Sequence, residues 1–290
     1  MRSEQQMYDL ILDTARSDDR IRAVILNGSR ANPTARRDFF QDFDVIYVAT
    51  DVASFTADHS WIRRFGEMMI LQLPDLMDDP SPRADGGFAY LMQFADGNRI
   101  DLTLIPVAKV SEIEGDSLSV LLLDKDGLIP PFAPASEDDY LPHPPTPKEF
   151  FDCCNEFWWV SPYVAKGLWR GEIIYAKTML DHYVREQLMK MLTWYIAMQT
   201  GFCLNPGKYG KHFQQHLEPQ LWAMLEQTYS DADYGRTWDA HETMCRLFRL
   251  TATRVAAQFG FDYPYGDDER VSAHLKHVRS LPKDAKEMYG

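Results

Sequence analysis

No run of apolar residues in this chain is long enough to cross a bilayer, and its first residues lack the apolar core of a secretory signal. A soluble cytoplasmic protein with no membrane partner is therefore expected. Cysteine is scarce: Cys153, Cys154, Cys203 and Cys245 form no Cys-x-x-Cys and no zinc-like spacing, which excludes a disulfide framework and leaves reduced thiols. Positive charge is also short. Thirty Lys and Arg against 43 Asp and Glu give a formal net charge of −13, the reverse of the basic field that binds a phosphate backbone, so a cationic small molecule is expected and a nucleic-acid partner is not. His241-Glu242 lacks the second histidine of a zinc-protease helix, and Gly207-Lys208-Tyr209 lacks the glycine placement and the Ser or Thr of a P-loop.

What is present begins at Gly28-Ser29. The alternating residues Ile21, Ala23 and Ile25 enter this turn as a strand, and the run from Phe43 to Val48 leaves as another, with Asp42 and Asp44 at its start. Alternation along a strand puts these two acids on one face, their Cα atoms roughly 7 Å apart. Side-by-side carboxylates repel unless a cation sits between them, and a hard divalent ion such as Mg²⁺ prefers such oxygen ligands and completes its shell with water and phosphate. Gly28 allows close backbone approach to a phosphate, and the Ser29 hydroxyl can donate to it. A third acid follows: Ala89–Phe94 and Arg99–Ile105 read as a hairpin across Ala95-Asp96-Gly97-Asn98, and Asp101 lies within its second strand. A lone charge in a central strand is costly, so Asp101 is expected beside the other two, with pairing to Arg99 as the plainer alternative. The pattern outlines a phosphoryl- or nucleotidyl-transfer site.

With 290 residues, 45% of them hydrophobic, two domains are expected. Ser3 to Gln6 reads as a capping box ahead of a helix with Met7, Leu10, Ile11, Thr14 and Ala15 on one stripe. Ser54–Phe65 reads as a helix, Met68–Leu73 as a strand, Pro74–Gly87 as a loop, and Val120–Leu123 as a short strand or helix. Seven prolines between Ile129 and Pro147 mark a linker, placed at 136–146 between a mixed-sheet domain (1–135) and a helical domain (147–290). The fold class is α+β. Thr146-Pro147-Lys148-Glu149 carries every helix start signal, opening a helix that reaches about Arg170 with a kink near Pro162. Further helices are expected from about Glu172 to Thr200, over Pro219–Tyr229 and over Tyr234–Phe259, with Gly201 and Gly260 as stops. The tail after Tyr263 carries no assignment.

The Gly28-Ser29 turn, Asp42-x-Asp44 and Asp101-Leu-Thr-Leu-Ile resemble the nucleotidyltransferase superfamily that includes DNA polymerase β. More narrowly, Leu26-Asn-Gly-Ser-Arg-Ala-Asn, Gln41-Asp-Phe-Asp, Leu121-Leu-Leu-Asp-Lys-Asp and Phe151-Asp-Cys-Cys-Asn-Glu-Phe-Trp-Trp-Val look like the aminoglycoside 6-adenylyltransferase family, over Met1 to about Phe259. The resemblance implies transfer of AMP from ATP to the streptomycin 6-hydroxyl, with pyrophosphate released. Asp42, Asp44 and Asp101 would be the catalytic and metal-binding acids for two Mg²⁺ ions, with Asp101 as a further metal ligand, the base, or an acceptor contact. Gly28, Ser29 and Arg30 would contact the nucleotide, with Arg36 and Arg37 of the same basic loop as competitors. In the helical half, Asn155, Trp158 and Trp159 share a helix face suited to an acceptor, although aromatics at that spacing are as readily core. Lys166, Arg170 and Lys177 are the cations available to a triphosphate. A matching lysine in the family singles out Lys166. Rival readings are a different aminoglycoside, a lincosamide or a protein as acceptor, or a nucleotide-binding module without turnover. Oligomeric state is not legible.

Overall fold

The β-branched and apolar runs Ile21–Asn27 and Phe43–Ala49 form strands β1 and β2, buried along much of their length because alternate side chains reach cores on opposite faces of the sheet. In the computed structural model, which describes residues 1–77, 86–112, 116–127 and 129–289, four more strands join them. These are β3 (Met68–Gln72), β4 (Phe88–Phe94), β5 (Arg99–Pro106) and β6 (Ser119–Asp124). The sheet order is β3-β4-β5-β2-β1-β6. The β2–β5 pair is parallel and every other pair antiparallel. Val120–Leu123, open between strand and helix in the sequence, is thus edge strand.

One sheet face is sealed by helix α1 (Glu4–Ser17), whose capping box forms as expected through Ser3 and Gln6. Met7, Ile11 and Ala15 pack with Val24, Leu26, Phe43, Val45 and Tyr47, and the Tyr47 hydroxyl donates to the Ile11 carbonyl at 2.6 Å. Lys125 closes the far end of α1 by donating to the carbonyls of Ala15 (2.7 Å) and Asp18 (3.0 Å). On the opposite face Ala23, Ile25 and Val48 form a smaller cluster with Ile46, Val107, Val110 and Leu121. That cluster covers only part of the face, and the acids occupy the remainder.

Ser54–Phe65 is not one helix. Helix α2 spans only Ala53–Thr56, and a 3₁₀ stretch, His59–Phe65, follows. Between them Asp58 turns its carboxylate onto the Ser60 N–H (2.8 Å) and hydroxyl (2.7 Å), a local bond that competes with helix continuation. Of the expected loop from Pro74, the part described begins with a 3₁₀ turn, Pro74–Leu76; residues 78–85 lie outside the described residues.

The chain divides into two compact units, Met1–Asp139 and Tyr140–Gly290. The second unit is helical: α3 (Pro147–Arg170), α4 (Ile173–Thr178), α5 (Arg185–Gln199), α6 (Phe213–His216), α7 (Pro219–Gln227), α8 (Tyr234–Phe259) and α9 (Tyr265–Ser280). Thr146 and Glu149 make the capping box of α3, which continues through Pro162 as a single helix. A π-helical segment, Met179–Val184, bridges α4 and α5, so the expected helix from Glu172 to Thr200 is one rod with a local widening. Its core stacks Phe157 on Phe248, ring centroids 3.8 Å apart. Helix α9 comes from the unassigned tail and adds Leu275 and Val278 to that core. Among the described residues no helix is long and apolar enough to cross a membrane.

Candidate active site

The strand pairing brings the three acids together. Asp44 lies directly opposite Asp101 in the parallel β2–β5 ladder, and Asp42 precedes β2 on the same face. Carboxylate oxygens from Asp42, Asp44 and Asp101 lie within 4.8 Å of one another, and all three residues are half-buried. No donor among the described residues is hydrogen-bonded to the Asp44 carboxylate. Burial, then the neighbouring charges of Asp42 and Asp101, push its carboxyl up to about 7.

Gly28 forms the floor. It opens a 3₁₀ turn, Gly28–Arg30, directly after β1, with φ at +71°. A Cβ at this position would meet the Asp44 Oδ2 at 2.4 Å, so a side chain is excluded both by backbone conformation and by contact with the acid. The Gly28 N–H itself is bonded to the Leu118 carbonyl at 3.0 Å; its contribution is space rather than a donor. Ser29 is held by Gln41, whose Nε2 donates to the Ser29 carbonyl (3.2 Å) and Oγ (3.3 Å).

These features fit a divalent cation: three oxygen donors converge, one of them disfavours its own charge, and the turn beside them is stripped of side-chain bulk. Asp101 also makes the plainer pairing considered from sequence. Arg99 donates from Nε to Asp101 Oδ1 at 2.7 Å and from NH2 to Oδ2 at 2.6 Å, while its Nε lies 4.0 Å from Asp42. Both expectations for Asp101 therefore hold at once.

Arg30 departs from its expected role at phosphate. It is 7% exposed, lies 3.7 Å over the Phe43 ring, and donates to the carbonyls of Asp42 (2.9 Å) and Gln41 (2.8 Å), with Glu4 at 3.2 Å. A guanidinium held on every side by the fold is a strut: it fixes the chain that presents Asp42. Arg36 and Arg37 of the same loop are exposed.

The helical candidates separate by burial. Trp158 is 2% exposed and donates from Nε1 to the Tyr263 hydroxyl at 3.2 Å, which makes it core. Trp159, one residue on, is 64% exposed. Both border a hollow of about 430 Å³ with Asn155. Lys166 lies 4.8 Å from the Tyr163 ring and lines a neighbouring hollow with Arg170. Lys177 is tied to Asp181 at 2.7 Å and to the Ser230 carbonyl at 2.8 Å, bonds that already satisfy it. Sequence reasoning named Arg99 only as an alternative partner. Its i, i+2 spacing from Asp101 on one strand was the signal that places it in the cluster.

The chain is similar over nearly its whole length to known proteins. A family model described as streptomycin adenylyltransferase matches residues 1–278. An aminoglycoside 6-adenylyltransferase of Campylobacter jejuni is 42% identical over 278 residues, 95% of each chain. Its counterpart from Bacillus subtilis (strain 168) is 41% identical over 92% of this chain and 95% of its own, and one from Staphylococcus aureus is 34% identical over 91% and 94%. A crystal structure of an aminoglycoside 6-adenyltransferase from Bacillus subtilis is 37% identical, covering 97% of this chain and all of that one, with a TM-score of 0.48. A match over nearly the whole chain, joined to an acid triad beside a glycine turn, means that this protein is a nucleotidyltransferase and belongs to the streptomycin adenylyltransferase family.

Proposed function

We propose that this chain transfers AMP from ATP to the 6-hydroxyl of streptomycin and releases pyrophosphate, inactivating the antibiotic in the cytoplasm. The observation that carries the reading is the convergence of Asp42, Asp44 and Asp101 on an open sheet face over Gly28, in a chain of this family. The three acids would hold two Mg²⁺ ions, which supply Lewis-acid stabilisation of the charge that develops on the transferring and departing phosphates. Gly28 keeps the approach clear, and the Ser29 hydroxyl, oriented by Gln41, donates to a phosphate oxygen. Asp101 would complete the metal site or accept the acceptor's hydroxyl proton at a carboxylate oxygen. The Arg99 clasp occupies both of its oxygens, which gives most weight to its charge and orientation.

Streptomycin presents two guanidinium groups, which pair best with planar carboxylates in bidentate geometry, and a chain of net charge −13 favours such an acceptor. Charge alone would admit other aminoglycosides; discrimination rests on a hydroxyl held in line with the α-phosphorus, where misplacement by about 1 Å costs on the order of 10²-fold. Residues 1–135 carry the chemistry in this reading, and 147–290, beyond the linker 136–146, supply further substrate contacts. Asn155 and Trp159 are assigned to the acceptor, with Trp158 backing them, and Lys166 ahead of Lys177 to phosphate.

Incubating the protein with Mg²⁺–ATP and, separately, streptomycin, kanamycin or lincomycin, then weighing the products, tests the proposal. One AMP added to streptomycin alone is expected. An adduct on kanamycin or on a polypeptide with streptomycin unchanged, or no pyrophosphate with any acceptor, refutes it.

A further inference from the structure

Arg99 stands two residues before Asp101 on β5, so the pleat puts both side chains on the face that carries the acids. Its clasp is bidentate, at 2.7 and 2.6 Å, and engages both oxygens of Asp101. The same guanidinium lies 4.0 Å from Asp42. It is therefore a positive charge already seated at the edge of the cluster proposed as a cation site. A guanidinium does not deprotonate near neutral pH, so it can yield this place only by moving. Room exists for that movement: its side chain is 44% exposed and borders a hollow of about 600 Å³ lined by Leu71, Leu73, Leu91 and Gln93.

We propose that Arg99 is the resident counter-cation of the acid triad, a positioning residue that holds Asp101 aimed in the metal-free protein and that an arriving divalent cation displaces from it. The inference rests on the triad's being a metal site. It differs in sign from a merely structural pairing. If Arg99 only braced Asp101, removing it would loosen a ligand and weaken metal binding. If Arg99 competes for the same oxygens, removing it frees them, deletes a like charge beside the incoming ion, and strengthens binding. A half-exposed ion pair together with the repulsion across a few ångströms near the surface corresponds to about a tenfold change in affinity.

Calorimetric titration with Mn²⁺, without nucleotide, of the full-length wild type, Arg99→Gln, Arg99→Lys and Asp42→Asn reads this directly. Arg99→Gln should bind Mn²⁺ about tenfold more tightly than wild type. Arg99→Lys, which keeps the charge but loses the fork, should fall between them. Asp42→Asn should bind weakly. Wild-type binding with Arg99→Gln equal or weaker overturns the counter-cation role and leaves the metal site standing. No Mn²⁺ binding by either wild type or Arg99→Gln instead removes the metal site itself, and the proposal with it.

Discussion

Asp44 and Asp268 are both acids drawn into the interior of their units, and their surroundings are opposite. Asp268, 2% exposed at the first turn of α9, is met from every side: by the Arg249 guanidinium on both oxygens, by the Ser272 hydroxyl at 2.9 Å and by the Tyr263 hydroxyl at 2.8 Å. Through Tyr263 the network continues to Trp158 of α3, so this acid ties three helices together. The Asp44 carboxylate has two acids for neighbours and is hydrogen-bonded to no donor among the described residues. A buried charge with its full set of partners serves the fold, whereas one placed among like charges is tolerable only if something outside the chain completes it.

The comparison can be broken most visibly by activity. If the triad holds a cation as proposed, Asp44→Asn should lower pyrophosphate release by about 10³-fold or more, because one of the ligating charges is gone, while circular dichroism and thermal unfolding in chelator show the fold intact. Activity near wild type, or unfolding of this variant, would make Asp44 an acid of the Asp268 kind. Asp268→Asn should do the reverse and cost about 3–5 kcal/mol in urea unfolding, since Arg249 is left without its charge partner. Loss of activity at unchanged stability would contradict the structural role.

The pH dependence of stability sharpens the contrast further. Asp44 ionises at about 7 in the fold against 3.8 ordinarily, so the fold retains a proton that the unfolded chain has released. Its contribution to stability is therefore full below the ordinary value, falls as pH rises from about 4 to about 7, and is flat above. At 1.36 kcal/mol per unit this amounts to at most on the order of 4 kcal/mol. In chelator, Asp44→Asn should thus gain on wild type across that window, and Mn²⁺ should narrow the gap by stabilising only wild type. Parallel melting curves for the two proteins from pH 4.5 to 8 would exclude it.

The first unit was largely legible because its information is local. Alternation puts Asp42 and Asp44 on one face beside the Gly28 turn, while Asp101 was expected with them from the cost of a lone buried charge and not from any local signal. The failures have physical causes. Periodicity does not register that the Asp58 side chain diverts the chain at Ser60, so a broken segment read as one helix. Helix α9 was missed because its apolar stripe is thin, although Asp267 and Asp268 in its first turn and Arg279 in its last are end signals for the helix dipole. Arg30 was taken for a phosphate ligand because sequence reports the charge and not its burial. Trp158 and Trp159 differ by one step of about 100° around α3, and that step separates core from solvent.

Asp44 and Asp101 lie 57 positions apart in the chain yet are direct neighbours in a parallel ladder. Their separation is therefore set by interstrand hydrogen bonds rather than by side-chain packing. Such a spacing cannot drift by small steps: a slip of one residue would turn either acid to the opposite face.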